Sequence, residues 1–83
     1  MPLERLSMAR RKVIGSKQTL KAIERNQARV VYLARNAERH VLDPIIQACS
    51  AKSVPVVYAE SMQVLGKACG IEVGCAATAI VDE

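Results

Sequence analysis

Leu3, Leu6, Ala9 and Val13 recur at helical spacing behind Pro2, and the cations Arg10, Arg11 and Lys12 gather where a helix C-terminus favours positive charge. This pattern predicts a first helix over about residues 3–11. Gly15 then punctuates the chain. Ser16 is a candidate N-cap, Leu20 and Ile23 share one face, and Asn26 supplies the stop of a second helix. Residues 28–34 are nearly continuous in apolarity and rich in β-branched side chains, the pattern of a strand covered on both faces. Asp43 before Pro44 fits an N-cap with proline at the first helical position, so a third helix is predicted from there through Ile45, Ile46, Ala48 and Cys49 to about Lys52. Residues 35–42 are then a loop. Residues 54–59 read as a second apolar strand with Pro55 near its start. Ser61 can cap a helix that ends at Gly70, and the small-residue run 75–81 closes the chain as a strand. The alternation implies an α/β fold, a three-layer α/β/α sandwich around a central mixed sheet of about four strands, in one domain over residues 1–83.

Composition constrains how that core is filled. The chain is 51% apolar, yet it has no Phe or Trp and only Tyr32 and Tyr58 as aromatics, so Val, Ile, Leu and Ala must do the packing. Two tyrosines inside strand runs cannot build the aromatic platforms on which readers of single-stranded nucleic acid stack successive bases. Charge is unevenly divided: residues 1–39 hold ten Lys or Arg against three acids, and residues 40–83 hold two against five. A half carrying +7 and a half carrying −3 give the net charge of +4. A basic half on a small domain points to a polyanion, although charge alone also fits a solvated face. Nucleic acid is favoured over a membrane surface because no basic amphipathic helix carries bulky apolar anchors. No signal peptide is visible and no apolar run approaches the ~20 residues of a membrane span, so a soluble cytoplasmic protein is expected.

Cys49, Cys69 and Cys75 lack the paired spacing of a zinc site or a redox Cys-x-x-Cys and read as reduced core residues. His40 has Asp43 nearby but no Ser or Cys placed for a triad, and reads as a solvated loop side chain. Gly66, Gly70 and Gly74 read as cap and loop glycines, and Gly66-Lys67 lacks the upstream spacing of a phosphate loop. No glycine-rich fingerprint follows a strand. The expectation is therefore no enzyme, no cofactor, no metal and no small-molecule substrate.

The chemistry concentrates where Gly15 feeds the second helix. A helix N-terminus offers unpaired backbone N–H groups and the positive end of a dipole, and Lys17 and Lys21 add two cations beside it. Phosphate is the obvious guest. Lys17 and Gln18 can also read base edges, since Lys reaches guanine O6 and N7 and Gln pairs with an edge bidentately. Lys12, Lys21 and Arg25 suit backbone contacts. The groove of regular A-form RNA is too deep and narrow for such reading, so a distorted RNA is required.

Three blocks carry a resemblance. Gly15-Ser16-Lys17-Gln18-Thr19-Leu20-Lys21, then Ala28-Arg29-Val30-Val31-Tyr32-Leu33-Ala34, then Leu65-Gly66-Lys67-Ala68-Cys69-Gly70-Ile71-Glu72-Val73 with the Ala-rich closing strand, resemble the ribosomal L7Ae/L30e family in order and spacing. The similarity spans residues 3–81, and the compact length is most similar to the small bacterial members. The resemblance implies binding to kink-turn RNA, an internal loop in which a bulge beside tandem sheared G·A pairs bends the duplex sharply. By position, Lys17 and Gln18 would face guanine edges, and Lys21 would approach guanine or a neighbouring phosphate. Gly15, with Ser16 beside it, would allow close backbone approach. Ile71, Glu72 and Val73 would cover the nucleotide splayed from the bulge, although apolarity alone assigns Ile71 and Val73 to the core. Many archaeal members have Asn and Glu where Lys17 and Gln18 stand; Gln keeps a donor and an acceptor without the charge. The resulting expectation is a monomer that binds a kink-turn, in rRNA or a riboswitch. The alternative is a ribosomal assembly or structural protein whose basic face meets rRNA without demanding a kink.

Overall fold

The most apolar stretch of the chain forms the inside of the sheet. In the computed structural model, which describes residues 3–83, strand β2 (Val30–Ala34) is buried along its whole length. Its side chains divide by the two-residue period of a strand: Val30, Tyr32 and Ala34 enter one apolar cluster, Val31 and Leu33 the other. Beside it lie β4 (Ala77–Asp82), antiparallel, and β3 (Val56–Ala59), parallel. Strand β1 (Arg11–Ile14) pairs antiparallel with β4 and completes the order β1-β4-β2-β3. Helices α2 (Ser16–Glu24) and α3 (Arg39–Lys52) cover one face with Ile23, Leu42, Ile45 and Cys49. Helices α1 (Glu4–Met8) and α4 (Met62–Cys69) cover the other with Leu6, Leu65 and Cys69. The architecture is the α/β/α sandwich with a mixed four-stranded sheet that the alternation of elements implies. Ala77 and Ala79 on β4 leave the space that α2 occupies.

Several element boundaries differ from the sequence reading. The first helix stops at Met8, and Ala9 is already extended (φ −63°, ψ 141°). Arg11 and Lys12 therefore open an edge strand instead of closing a helix. Pairing with β4 brings Lys12, Val13 and Ile14 opposite Ile80, Ala79 and Thr78, so Val13 packs against one cluster and Ile14 against the other. A longer α1 would forfeit that two-sided burial, and cations on an open edge discourage further strand pairing. Pro2, read as the proline ahead of this helix, lies outside the described residues.

Helix α3 begins at Arg39, about one turn before the predicted Asp43–Pro44 start. The Glu38 carbonyl accepts the N–H groups of Val41 and Leu42, and Pro44 sits inside the helix, where its missing N–H leaves the exposed His40 carbonyl without a helical partner. Burial of Leu42 and Ile45 offsets that loss. Ser16 is the first residue of α2 and not its cap; Gly15 holds the N-cap position. Val54 and Pro55 precede β3, and Cys75 and Ala76 precede β4. Elsewhere the stop signals act as read: Asn26 (φ 59°) follows α2, Ser61 Oγ accepts from Val64 N–H at 3.1 Å, and Gly70 (φ 79°) ends α4.

Leu33 is fully buried between β4 and β3 and faces the α2–α3 layer. Leu33→Ala is expected to lower unfolding free energy by about 2–5 kcal/mol and the melting temperature by about 10 °C or more, read by chemical and thermal denaturation. A change within about 0.5 kcal/mol would contradict its place in the core.

Candidate nucleic-acid interface

Strands β1, β2 and β3 run in one direction and β4 against them. Consequently the C-terminal ends of three strands, the starts of α2, α3 and α4, and the approach to β4 share one end of the sheet. Gly15, Ser16, Lys17, Gln18 and residues 71–73 lie at that end, whereas Arg25 caps the far end of α2 and Lys12 lies near the start of β1.

Gly15 makes the turn from β1 into α2. Its N–H donates to the Ala77 carbonyl at 2.9 Å, and its own carbonyl accepts from Thr19 N–H at 2.9 Å. With φ 110° and ψ 152° it occupies backbone space that is essentially confined to glycine. This pins the first turn of α2 to the start of β4, with Ser16 half-buried and Lys17, Gln18 and Lys21 exposed. No acidic residue lies in that first turn. The exposed side of α2 then divides in two. Gln18, Lys21 and Arg25 line a groove of about 170 Å³ against Val13 of β1. Lys17 lines a separate groove of about 220 Å³ towards α3.

The second predicted piece, residues 71–73, leads into β4 from the opposite layer. It lies so close over α4 that a Cβ on Gly66 would come 2.2 Å from the Val73 carbonyl oxygen. Ile71 N–H bonds the Gly66 carbonyl and Cys75 N–H the Met62 carbonyl, each at 3.0 Å. Asn36 Oδ1 accepts from Met62 N–H at 2.8 Å, which ties the loop after β2 to the same helix start. Ile71 is half-buried against the α1–α4 cluster, as apolarity alone suggests. Val73 is not: it is 71% exposed, and Glu72 beside it is exposed too. At the base of this loop the buried Cys75 thiol donates to the Ala77 carbonyl at 3.0 Å. Interaction with Cys75 and burial push the Cys69 thiol up, while interaction with Cys69 pulls Cys75 below the ordinary thiol range. All three cysteines are free and buried.

Lys12 does not join Lys21 and Arg25. Val13 packs on the α2 side and Ile14 on the α4 side, so the strand's alternation turns Lys12 towards α4, where its charge acts on Cys69. Two neighbours of the site escaped the sequence reading. His40 lies in the first turn of α3 and borders the same groove as Lys17. The Arg35 guanidinium sits 5.6 Å from the centroid of the Tyr58 ring, a cation–π contact between the ends of β2 and β3. Only the parallel register that sets Leu33 opposite Tyr58 brings them together, and local sequence contains no signal for it.

Fold and site define a small α/β/α module that presents cations, an amide and an exposed apolar side chain at one end of its sheet. Residues 2–83 match the Ribosomal protein L7Ae/L30e/S12e/Gadd45 family, and the chain belongs to that family. It is 45% identical over 80 residues to RNA-binding protein BH0128 of Halalkalibacterium halodurans, covering 96% of this chain and 98% of that protein. It is 45% identical over 71 residues to RNA-binding protein TTE2299 of Caldanaerobacter subterraneus, with 86% and 87% covered. To RNA-binding protein YbxF of Geobacillus stearothermophilus the identity is 40% over 81 residues, with 98% and 99% covered. Among solved structures, a Bacillus halodurans protein described as of unknown function aligns with TM-score 0.84 at 26% identity, covering 96% of this chain and 80% of that one.

Gly15→Ala and Gly66→Ala are each expected to lower unfolding free energy by about 1–3 kcal/mol, the first through backbone strain and the second through a clash with the Val73 carbonyl. Denaturation midpoints unchanged in both would contradict the two anchor points of the site.

Proposed function

We propose that this non-catalytic, RNA-binding member of the L7Ae/L30e/S12e/Gadd45 family recognises kink-turns and holds them in the bent form. The observation that carries the reading is the convergence of two separate chain segments on the start of β4. Gly15 fixes the first turn of α2 there, with Lys17, Gln18 and Lys21 exposed, and the residue 71–73 loop arrives with Val73 standing clear of the core. A regular duplex offers side chains no readable deep groove, whereas a kink opens base edges and a splayed nucleotide within one compact target.

In this reading Lys17 and Gln18 contact guanine edges at the G·A pairs, Lys21 and Arg25 contact phosphates along the β1 side of α2, and Lys12 reaches the RNA from the α4 side. Gly15 and Ser16 keep the backbone close to the bases. Ile71, Glu72 and Val73 cover the splayed nucleotide. The protein acts by population shift: it binds the kinked conformer more tightly than the extended one, so bending follows from differential affinity. It acts as a monomer in the cytoplasm, on an rRNA or riboswitch kink. Among the described residues no helix is long and apolar enough to cross a membrane.

Affinity is compared between a kink-turn duplex and one whose G·A pairs are replaced by Watson–Crick pairs. Clear preference for the kink-turn is expected; equal affinity would favour the assembly protein that meets rRNA without requiring a kink. With about four phosphates neutralised, the log–log salt slope is expected near −3 to −4. Lys21→Ala should flatten it by about one, whereas Gln18→Ala should remove about 1–3 kcal/mol of the preference with little effect on slope. The opposite assignment of effects would overturn these roles.

A further inference from the structure

Resting on the RNA-binding reading, we propose that the groove between α2 and α3 is a second RNA subsite, in which His40 holds the phosphate of a nucleotide flanking the kink, beside the guanine edge that Lys17 contacts. The nucleotide's sugar and base face lie on Leu20, Val41 and Pro44. The groove measures about 220 Å³, has Ile45 at its base, and is continuous with the α2 tip because Lys17 belongs to both. Its rim carries a primary ammonium from one helix and an imidazole from the other, and its floor is apolar. A ribonucleotide, charged at one end and largely apolar on its faces, matches that division.

His40 is placed for this by the early start of α3. A loop over residues 35–42 would leave the side chain unplaced, whereas the first turn of a fourteen-residue helix packed against α2 fixes it on the groove. Its side chain is 74% exposed, and Nδ1 lies 3.7 Å from Glu38 Oε2. With Nδ1 turned to Glu38, Nε2 is the nitrogen offered to an anion. The charged groups around the ring are Glu38 on its own segment and Lys17 across the groove. Arg39 is engaged with Asp43 at 3.2 Å on α3.

A charged imidazole makes an ion pair with phosphate that a neutral one lacks, so RNA binding is expected to tighten as pH falls. For one exposed ion pair the gain amounts to about two- to fivefold in affinity.

The test measures Kd for a kink-turn duplex and its Watson–Crick control from pH 5.5 to 8 at constant ionic strength, for the wild type, His40→Gln and His40→Arg. Wild-type affinity for the kink-turn is expected to rise about two- to fivefold towards low pH. His40→Gln should lose that rise, and His40→Arg should hold the low-pH affinity across the range. Parallel pH profiles for wild type and His40→Gln would overturn the subsite, because any remaining pH dependence then belongs to the RNA or to other groups. Preference for the kink-turn over its control would survive that failure. Loss of that preference in the wild type at every pH would instead overturn the reading on which the subsite rests.

Discussion

One backbone hydrogen bond, from Gly15 N–H to the Ala77 carbonyl, links the candidate interface to the core. It exists because β1 pairs with β4 and because residue 15 tolerates φ 110°. Without it the first turn of α2 would hang from a four-residue edge strand. With it, three exposed polar side chains inherit the rigidity of a buried strand. The residue 71–73 loop enters the same strand from the other layer, held over Gly66 by the bonds of Ile71 and Cys75. Two elements far apart in sequence thus keep a fixed spacing through a single strand end, and recognition of a shaped RNA depends on such spacing.

How much of this was legible in the sequence follows from the range of the interactions involved. β2, α4 and the Ala-rich last strand announce themselves through local patterns: five consecutive buried positions, a serine cap and a left-handed glycine. The α/β/α layering follows from their alternation. β1 was not legible because Arg10-Arg11-Lys12 fits a helix C-terminus as well as a charged edge, and only pairing with β4 decides between them. The start of α3 was misplaced for a similar reason. Asp-Pro is a sound local start signal, yet burial of Leu42 against the sheet adds a turn before it.

The candidate site was legible only as far as its residues' placement. Lys17, Gln18 and Lys21 could be chosen because helix-end chemistry is local, and the structure places them exposed around one turn of α2. Ile71 and Val73 could not be separated by apolarity, since what distinguishes them is the path of the loop over Gly66. Lys12 shares its strand with Val13 but faces the other layer, which a charge count cannot reveal. His40 and the Arg35–Tyr58 contact arise from helix and strand neighbours that no spacing encodes.

A polar, sparsely aromatic surface is suited to selecting a shape rather than to stacking the bases of a flexible strand. In the proposed reading the RNA supplies the conformational change, and the protein supplies the difference in affinity that makes the bent form dominant. Fluorescence energy transfer between dyes on the two arms of a kink-turn duplex, titrated with protein in low divalent salt, tests this most directly. Transfer is expected to rise to the value of the bent form at saturation, with no rise for the duplex carrying Watson–Crick pairs. Saturating binding that leaves transfer unchanged would contradict it.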